Sequence, residues 1–367
     1  MKTLIIHDYF KFRGGAERTV LIMAQALNAD ILCSFWSDKN SYPKTEAPAK
    51  VFTLLDHEPG RTGWRYFVYQ YCFYFKTAIA KKYDRIIFSG NNCLSAAHNA
   101  PRAVKIFYCH TPVRYAYDLR SYYLKQKSWW KKPLLAVFII LARIVYKYGF
   151  NHMDKILANS ENVRSRIKKY LNKQSTVVYP PIEIEKFRWI CQQDFYLSYG
   201  RVDELKRIEL IARAFTSMPQ KNLVIASSGP NIENITRIAK GHKNIKIVGW
   251  VNDSQLARLV GSCIATIYIP IDEDAGMTPI ESMSAGKPCI GVNEGGLKES
   301  IIPNKTGLLI PSQCQLQDLI KAVNKMDSNT ALNMKTDCII QARRFSKQKF
   351  IQKLKQEINH INLYQTN

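Results

Sequence analysis

Glu273 and Glu281 stand eight residues apart in the stretch Y-I-P-I-D-E-D-A-G-M-T-P-I-E-S-M-S-A-G-K-P-C-I-G-V, flanking a glycine-containing loop. An ionised carboxylate accepts hydrogen bonds at both oxygens, so such a pair suits two polyhydroxylated groups, a hexose and a ribose for example. Two carboxylates also make the acid and base of a glycosidase, a second reading of the same residues. Proline is favourable near the first helical position, where its missing N–H is not needed, so the spacing predicts a helix starting at Pro279. Upstream, G-R-V-D-E-L-K-R sets Arg201 and Lys206 five residues apart across a strand-to-helix turn. Both cations can reach one anion there and stabilise a diphosphate leaving group; two solvated charges on a basic chain are the plainer alternative. His110, in Y-C-H-T-P directly after a predicted strand, can donate a hydrogen bond to a sugar hydroxyl or a phosphate, or serve a purely structural bond. Gly14-Gly15 lets the backbone approach a ligand closely and aim N–H groups at a phosphate; a tight turn explains the pair equally well.

These residues need strands to carry them. Residues 2–6 form a short apolar run ending at His7-Asp8, and after Gly14-Gly15 the stretch A-E-R-T-V-L-I-M-A-Q-A-L has helical spacing. Strand, glycine-rich turn and helix open a nucleotide-binding α/β domain. Further strands are predicted at Ala29–Phe35, Arg85–Ser89, Val104–Cys109 and Lys155–Ala158. Tyr179-Pro180-Pro181 breaks the pattern, and the boundary is placed there. The alternation restarts with strands at Phe195–Tyr199, Leu223–Ala226, Ile245–Val248, Ile264–Ile269 and Pro288–Val292. The expected fold class is α/β, with two Rossmann-like domains, 1–180 and 181–345, facing a cleft. Residues 346–367 form a closing helix.

The 367 residues carry 53 Lys and Arg against 29 Asp and Glu, a net charge of +24 that attracts phosphates. No helix-turn-helix, zinc or RNP motif accompanies that charge, which argues against a nucleic-acid partner. Nine cysteines without a C-x-x-C pair argue against a zinc cluster and a disulfide framework and fit a reducing cytosol. The N-terminus lacks the long apolar run of a signal peptide. The longest apolar run, Leu134 to Ala142, is closed by Arg143, whereas a spanning helix needs about 20 apolar residues, so no membrane span is expected. The segment 101–173 nevertheless holds 16 basic residues against 3 acidic ones, together with Tyr115, Tyr117, Tyr122, Tyr123, Trp129 and Trp130. Interleaved cations and aromatics suit an anionic membrane surface, with a solvated basic face over a core helix as the alternative. Lys125, Lys127, Lys131 and Lys132 flank Trp129 and Trp130, so the expected docking is peripheral and largely reversed by salt.

Nearly the whole chain resembles the retaining, GT-B-fold glycosyltransferases of family 4. The E-x7-E element from Glu273 to Glu281, S-A-G-K-P-C-I and G-G-L-K-E are similar to that family's donor-site signature. H-D-Y-F with G-G-A-E-R, Y-C-H-T-P-V-R-Y-A-Y-D, A-N-S-E-N-V and V-Y-P-P-I-E resemble a bacterial subgroup containing mannosyltransferases of O-antigen and exopolysaccharide assembly. The resemblance implies that Glu281 holds the ribose hydroxyls of a nucleotide sugar. It implies that Glu273 holds the sugar's far hydroxyls, helped by backbone N–H groups of Asp274, Ala275, Gly276 and Met277. Arg201 and Lys206 would grip the diphosphate with Gly14 and Gly15 closing over it, His110 would lie near sugar and acceptor, and the base would meet Trp250 and Val251. Ala275 departs from the pattern, standing where a Phe is common.

The implied activity is hexosyl transfer with retention, from GDP-mannose first and a UDP-hexose second, onto a lipid-linked saccharide at the inner face of the cytoplasmic membrane. The implied acceptor side is 1–180 and the donor side 181–345. A catalytically silent scaffold of the same fold is the rival reading. No cofactor is expected beyond the nucleotide sugar. No metal is expected either: Arg201 and Lys206 already supply positive charge, and His110 has no second His or Cys at ligand spacing.

Overall fold

T-L-I-I-H, R-I-I-F-S and V-K-I-F-Y-C are buried at every position, with no alternation between core and solvent. Strands of that kind are covered on both faces, which is the condition of a parallel sheet with helices on each side. A computed structural model of the chain, describing residues 1–60 and 62–365, shows this arrangement twice. One unit consists of Met1–Tyr179 with the chain from Ile351 onward, and the other of Pro180–Phe350.

The first unit contains β1 (Thr3–His7), β2 (Asp30–Cys33), β3 (Val51–Thr53), β4 (Arg85–Ser89), β5 (Val104–Cys109), β6 (Lys155–Ala158) and β7 (Thr176–Val177). Its helices are α1 (Gly15–Leu27), α2 (Thr62–Phe75), α3 (Arg120–Lys125), α4 (Lys132–Asn151) and α5 (Glu161–Leu171). The strand order is β3-β2-β1-β4-β5-β6-β7, all parallel. The order reverses between β1 and β4, where His7 and Ser89 are paired at the carboxyl ends. Parallel sheets of this class offer a ligand-binding crevice at such a reversal.

The second unit repeats the plan with β8 (Tyr196–Tyr199), β9 (Leu223–Ala226), β10 (Ile245–Ile247), β11 (Thr266–Tyr268), β12 (Cys289–Val292) and β13 (Gly307–Ile310). Its helices are α6 (Ile208–Thr216), α7 (Ile232–Ala239), α8 (Asp253–Ser262), α9 (Met277–Ser284), α10 (Leu297–Ser300), α11 (Leu316–Lys325), α12 (Ser328–Asn333) and α13 (Lys335–Arg343). The parallel order β10-β9-β8-β11-β12-β13 reverses between β8 and β11. The last helix, α14 (Lys347–Gln365), begins in the second unit and continues in the first. There Glu357 takes ion pairs from Lys155 of β6 at 3.0 Å and Lys353 at 2.8 Å. Burial works against ionisation of Glu357, but these hydrogen bonds outweigh it and hold the carboxyl below its ordinary range.

Three strands lie outside the sequence expectations. β3 and β7 are edge strands of three and two residues, only partly buried, and too short to show a period. β13 is buried but follows directly on the turn P-N-K-T, which masks its start. The expectation of no spanning-length helix also changes. Trp129–Asn151, 23 residues, is long and apolar enough by length and composition, because Arg143 and Lys147 interrupt the apolar run without ending the helix. Ile139, Ala142, Tyr146 and Phe150 commit one side of α4 to the first unit's core, beside Phe107.

Gly149 sets how closely α4 approaches the 3-10 helix Cys93–Asn99. A Cβ there would lie 2.5 Å from the carbonyl oxygen and 2.7 Å from the carbonyl carbon of Leu94, which are backbone atoms unable to swing aside. Gly149→Ala is therefore expected to destabilise the chain by about 1–3 kcal/mol, as overpacked cores do. A urea unfolding midpoint equal to that of the parent chain would refute it.

Candidate functional site

In the second unit the carboxyl ends of β8 and β11 bring together residues that are far apart in sequence. β8 ends at Tyr199, and Gly200 and Arg201 turn the chain toward the 3-10 helix Glu204–Lys206. Asp203 caps that turn, its Oδ1 accepting from the Lys206 N–H at 3.1 Å. The Lys206 ammonium then meets Glu273 Oε2 at 2.5 Å and the Tyr268 hydroxyl at 2.7 Å. Lysine and glutamate are each about one fifth exposed (22% and 20%), so water screens this pair only in part. Arg201 is different: its side chain is 65% exposed and reaches Asp203 only at 3.9 Å. The two cations named together in the sequence thus differ in setting, one locked by partners and one largely exposed.

The loop bearing Glu273 is held by backbone geometry. Asp272 and Gly276 have positive φ, 44° and 67°, and turn the chain on either side of Glu273. The G-G of G-G-L-K-E forms its shelf: the Gly296 N–H donates to the Glu273 carbonyl at 2.8 Å, and a Cβ on Gly296 would lie 2.6 Å from the Asp274 carbonyl oxygen. Arg207 braces the start of the loop, donating to the carbonyls of Ile269 at 2.7 Å, Pro270 at 2.9 Å and Ser312 at 2.7 Å. These bonds hold Arg207 itself at φ 52°, a conformation an L side chain adopts only when its surroundings impose it. Neither the shelf nor the brace was singled out for this role from sequence.

The helix after the loop starts at Met277, two residues before the expected Pro279. First-turn N–H groups have no partner within a helix, so proline is accommodated at the third position as well as the first. Glu281, one turn on, faces Tyr199: the tyrosine hydroxyl lies 3.2 Å from Glu281 Oε2 and 3.0 Å from the Thr278 carbonyl. Burial first, and then the facing carboxylate, push the Tyr199 and Tyr268 hydroxyls well above the ordinary tyrosine value. Both remain protonated donors, and each orients one of the two glutamates. The sequence offered these tyrosines only as apolar strand residues.

Trp250 and Val251 follow the edge strand β10, two strands from β8 in the sheet order and so roughly 10 Å away. Trp250 is exposed, and Val251 is partly buried against the apolar cluster around Leu197 and Val260. Lys287 of S-A-G-K-P serves the fold: it lies 3.4 Å above the Trp189 ring and donates to the Cys191 carbonyl at 2.6 Å. Burial brings its ammonium down to about 8.

The reversal of the first sheet carries a mostly uncharged counterpart. His7 Nδ1 meets the Ser89 carbonyl, and the Ser89 hydroxyl lies 2.8 Å from His110 Nε2. Burial, then the neighbouring His7, push His110 down to about 3, so its ring is a neutral hydrogen-bonding group at ordinary pH. Gly14 is the N-cap of α1 and Gly15 its first residue, with the buried Glu17 side chain folded back against Gly14. Burial raises the Glu17 carboxyl, against the opposing effects of His7 and of backbone hydrogen bonds. Asp8 accepts from the backbone N–H groups of Asn91, Asn92 and Cys93 at 2.8–2.9 Å and so fixes the chain after β4. Arg166 of α5 donates to Thr111 Oγ1 at 3.0 Å, steadying the turn next to His110. Among the described residues, no three His, Cys, Asp or Glu side chains gather as a metal would require.

Two parallel α/β units, each with polar groups at its strand reversal, make up the GT-B fold. Residues 181–345 match the model of glycosyl transferases group 1 and residues 13–186 that of Glycosyltransferase Family 4, so each unit has its own glycosyltransferase match. It is similar to the alpha-1,3/1,6-mannosyltransferase ALG2 of Mus musculus, 23% identical over 81% of each chain. The ALG2 of Dictyostelium discoideum is 26% identical, over 63% of this chain and 63% of its own length. Among solved structures, sucrose-phosphate synthase from Thermosynechococcus elongatus shares the fold with a TM-score of 0.82, at 16% identity over 99% of this chain and 100% of that one. Anabaena HepE in complex with UDP does so with a TM-score of 0.76, at 16% identity over 98% and 100%.

The locked pair can be measured without any substrate. In a double-mutant cycle of Lys206→Met and Glu273→Gln, folding stability is expected to show a favourable coupling of roughly 0.5–3 kcal/mol, the range for contacting residues. Additive losses would mean that the two side chains do not meet in solution.

Proposed function

We propose that the protein is a retaining hexosyltransferase that moves mannose from GDP-mannose onto a lipid-linked saccharide in bacterial surface-polysaccharide assembly. It works on the inner face of the cytoplasmic membrane. The observation that carries this reading is the placement of Lys206, Glu273 and Glu281 by two buried tyrosines at one strand reversal. Similarity to proteins named mannosyltransferases supports mannose, and the Y-C-H-T-P and V-Y-P-P motifs support the bacterial setting.

In this reading Glu281 holds the ribose hydroxyls and Glu273 the far hydroxyls of the sugar, with Asp274 to Met277 presenting backbone N–H groups. A diphosphate carries more negative charge than one carboxylate, so it draws Lys206 away from Glu273 and frees that carboxylate for the sugar. Arg201, being exposed, swings onto the same diphosphate. As the bond from the anomeric carbon to the phosphate oxygen breaks, both cations stabilise the charge that develops there. The acceptor hydroxyl attacks from the same face, its proton passes to the departing diphosphate, and retention follows. The first unit, with Gly14, Gly15 and neutral His110 at its own reversal, is assigned mainly to the acceptor. A UDP-hexose is the second candidate donor, supported by the similarity in fold to a protein crystallised with UDP.

Nucleotide sugars screened by thermal shift test the donor, because bound ligand stabilises the native state by mass action. GDP-mannose is expected to raise Tm most; no response to GDP-mannose or any UDP-hexose would refute the reading. Glu281→Ala is expected to weaken donor binding about tenfold or more, the worth of hydrogen bonds to a charged group, with the unfolding transition kept cooperative. Unchanged affinity would remove Glu281 from the site. Turnover is also expected to survive EDTA, because Arg201 and Lys206 supply the positive charge. Loss on chelation with recovery in magnesium or manganese would show that they do not suffice.

A further inference from the structure

Helix α4 carries apolar side chains on both sides, interrupted only by Arg143 and Lys147 after Lys132, yet is buried on one side only. Its core side is Ile139, Ala142, Tyr146 and Phe150. On the opposite side Leu134, Val137, Ile140 and Ile144 are all exposed, between 54% and 73%. A helix that is apolar all round normally lies in a core or in a membrane. α2 extends the surface: it packs against α4 through Tyr66 and Phe67, whose ring centroids lie 5.0 and 6.1 Å from that of Phe138. Beyond this junction α2 exposes Trp64, Tyr71 and Phe75. Exposed apolar side chains scattered singly need no explanation, but two helices contributing them to adjoining surfaces do.

Charge identifies what covers this face. Residues 59–83 and 119–153, which contain both helices, include no Asp or Glu at all. Exposed lysines stand along the surface, with Lys131 4.6 Å over the Trp130 ring at the start of α4 and Lys76 6.0 Å from the Tyr71 ring at the end of α2. Of the two cations within the apolar stretch of α4, Arg143 is turned away, donating to the Ala116 carbonyl at 2.7 Å, and Lys147 is exposed near the helix end. The result is apolar side chains at the centre, with Trp, Tyr and Lys beside them. A second copy of the chain would bring like charges together on this face. A spanning role would require Ile139, Tyr146 and Phe150 to leave the core.

We infer that the exposed sides of α2 and α4 form one face that inserts into the outer acyl region of an anionic bilayer, with α4 lying in the plane of the membrane. The inference builds on the lipid-linked acceptor of the proposed function and names the surface that would meet that lipid. It also changes the character of the docking expected from sequence. Lysines alone give attachment that salt removes, whereas an inserted apolar face stays bound when charge is screened.

The test uses the full chain and vesicles of equal parts phosphatidylcholine and phosphatidylglycerol, read by sedimentation. The parent chain is expected to sediment at low salt and to remain largely bound in about 1 M NaCl, where the screening length is about 3 Å. The variant Leu134→Gln/Val137→Gln/Ile140→Gln/Ile144→Gln is expected to lose at least about tenfold in partitioning at high salt. Lys125→Glu/Lys127→Glu/Lys131→Glu/Lys132→Glu is expected to weaken low-salt binding and to match the parent chain at high salt. Release of the parent chain by salt, vesicle binding by the glutamine variant equal to that of the parent, or a dimer that ignores vesicles would each overturn the inference. So would resistance to alkaline carbonate, the mark of a spanning helix. Thermal shift with GDP-mannose or UDP-glucose, run on the same variants, reports folding and donor binding separately. A chain that inserts but binds no nucleotide sugar overturns the proposed function alone.

Discussion

The ion pair between Lys206 and Glu273 is the constraint around which the second unit is arranged. A lysine and a glutamate drawn largely out of water lose hydration, and their mutual attraction compensates only when the geometry is good. The geometry here is supplied from several directions. Asp203 fixes the turn carrying the lysine, the Gly295-Gly296 shelf fixes the loop carrying the glutamate, and Tyr268 stands at the end of the strand next to β8. Arg207 holds three carbonyls around the same junction at the cost of an uncommon backbone angle. An anion that separates the pair must therefore offer the lysine at least as strong a partner as Glu273 does.

The two units share a strand order but differ at their reversals. In the second, charged groups face one another and tyrosines hold them. In the first, a serine links two histidines, burial keeps His110 neutral, and the buried Glu17 carboxyl is pushed toward its protonated form. The common architecture specifies where ligands go, and the local dielectric and partners specify which ligands those are.

Much of the architecture was legible because strands covered on both faces are written as continuous apolar runs; β1, β4 and β5 are examples. β3 and β7 were illegible because two or three half-exposed residues carry no period. In the site, Glu273, Glu281 and Lys206 stood out by type and spacing, while Tyr199 and Tyr268 did not, since an aromatic at a strand end reads equally well as core. The contrast between Lys206 and Arg201 was equally hidden, because exposure depends on what folds back from residues some seventy positions away. For α4 the apolar run was visible, but which half of the helix would lack a protein partner was decided by packing alone.

The passage of α14 from one unit into the other gives synthesis a particular order. Lys155 leaves the ribosome long before Glu357, the carboxylate that neutralises it, and the whole of the second unit is made in between. Until the last helix emerges, the first unit has all of its sheet but lacks one of its covering segments. A nascent chain in that condition has a long wait, because pairings so distant in sequence form late. Through that interval Lys155, at the start of β6, lacks the carboxylate that neutralises it in the finished chain.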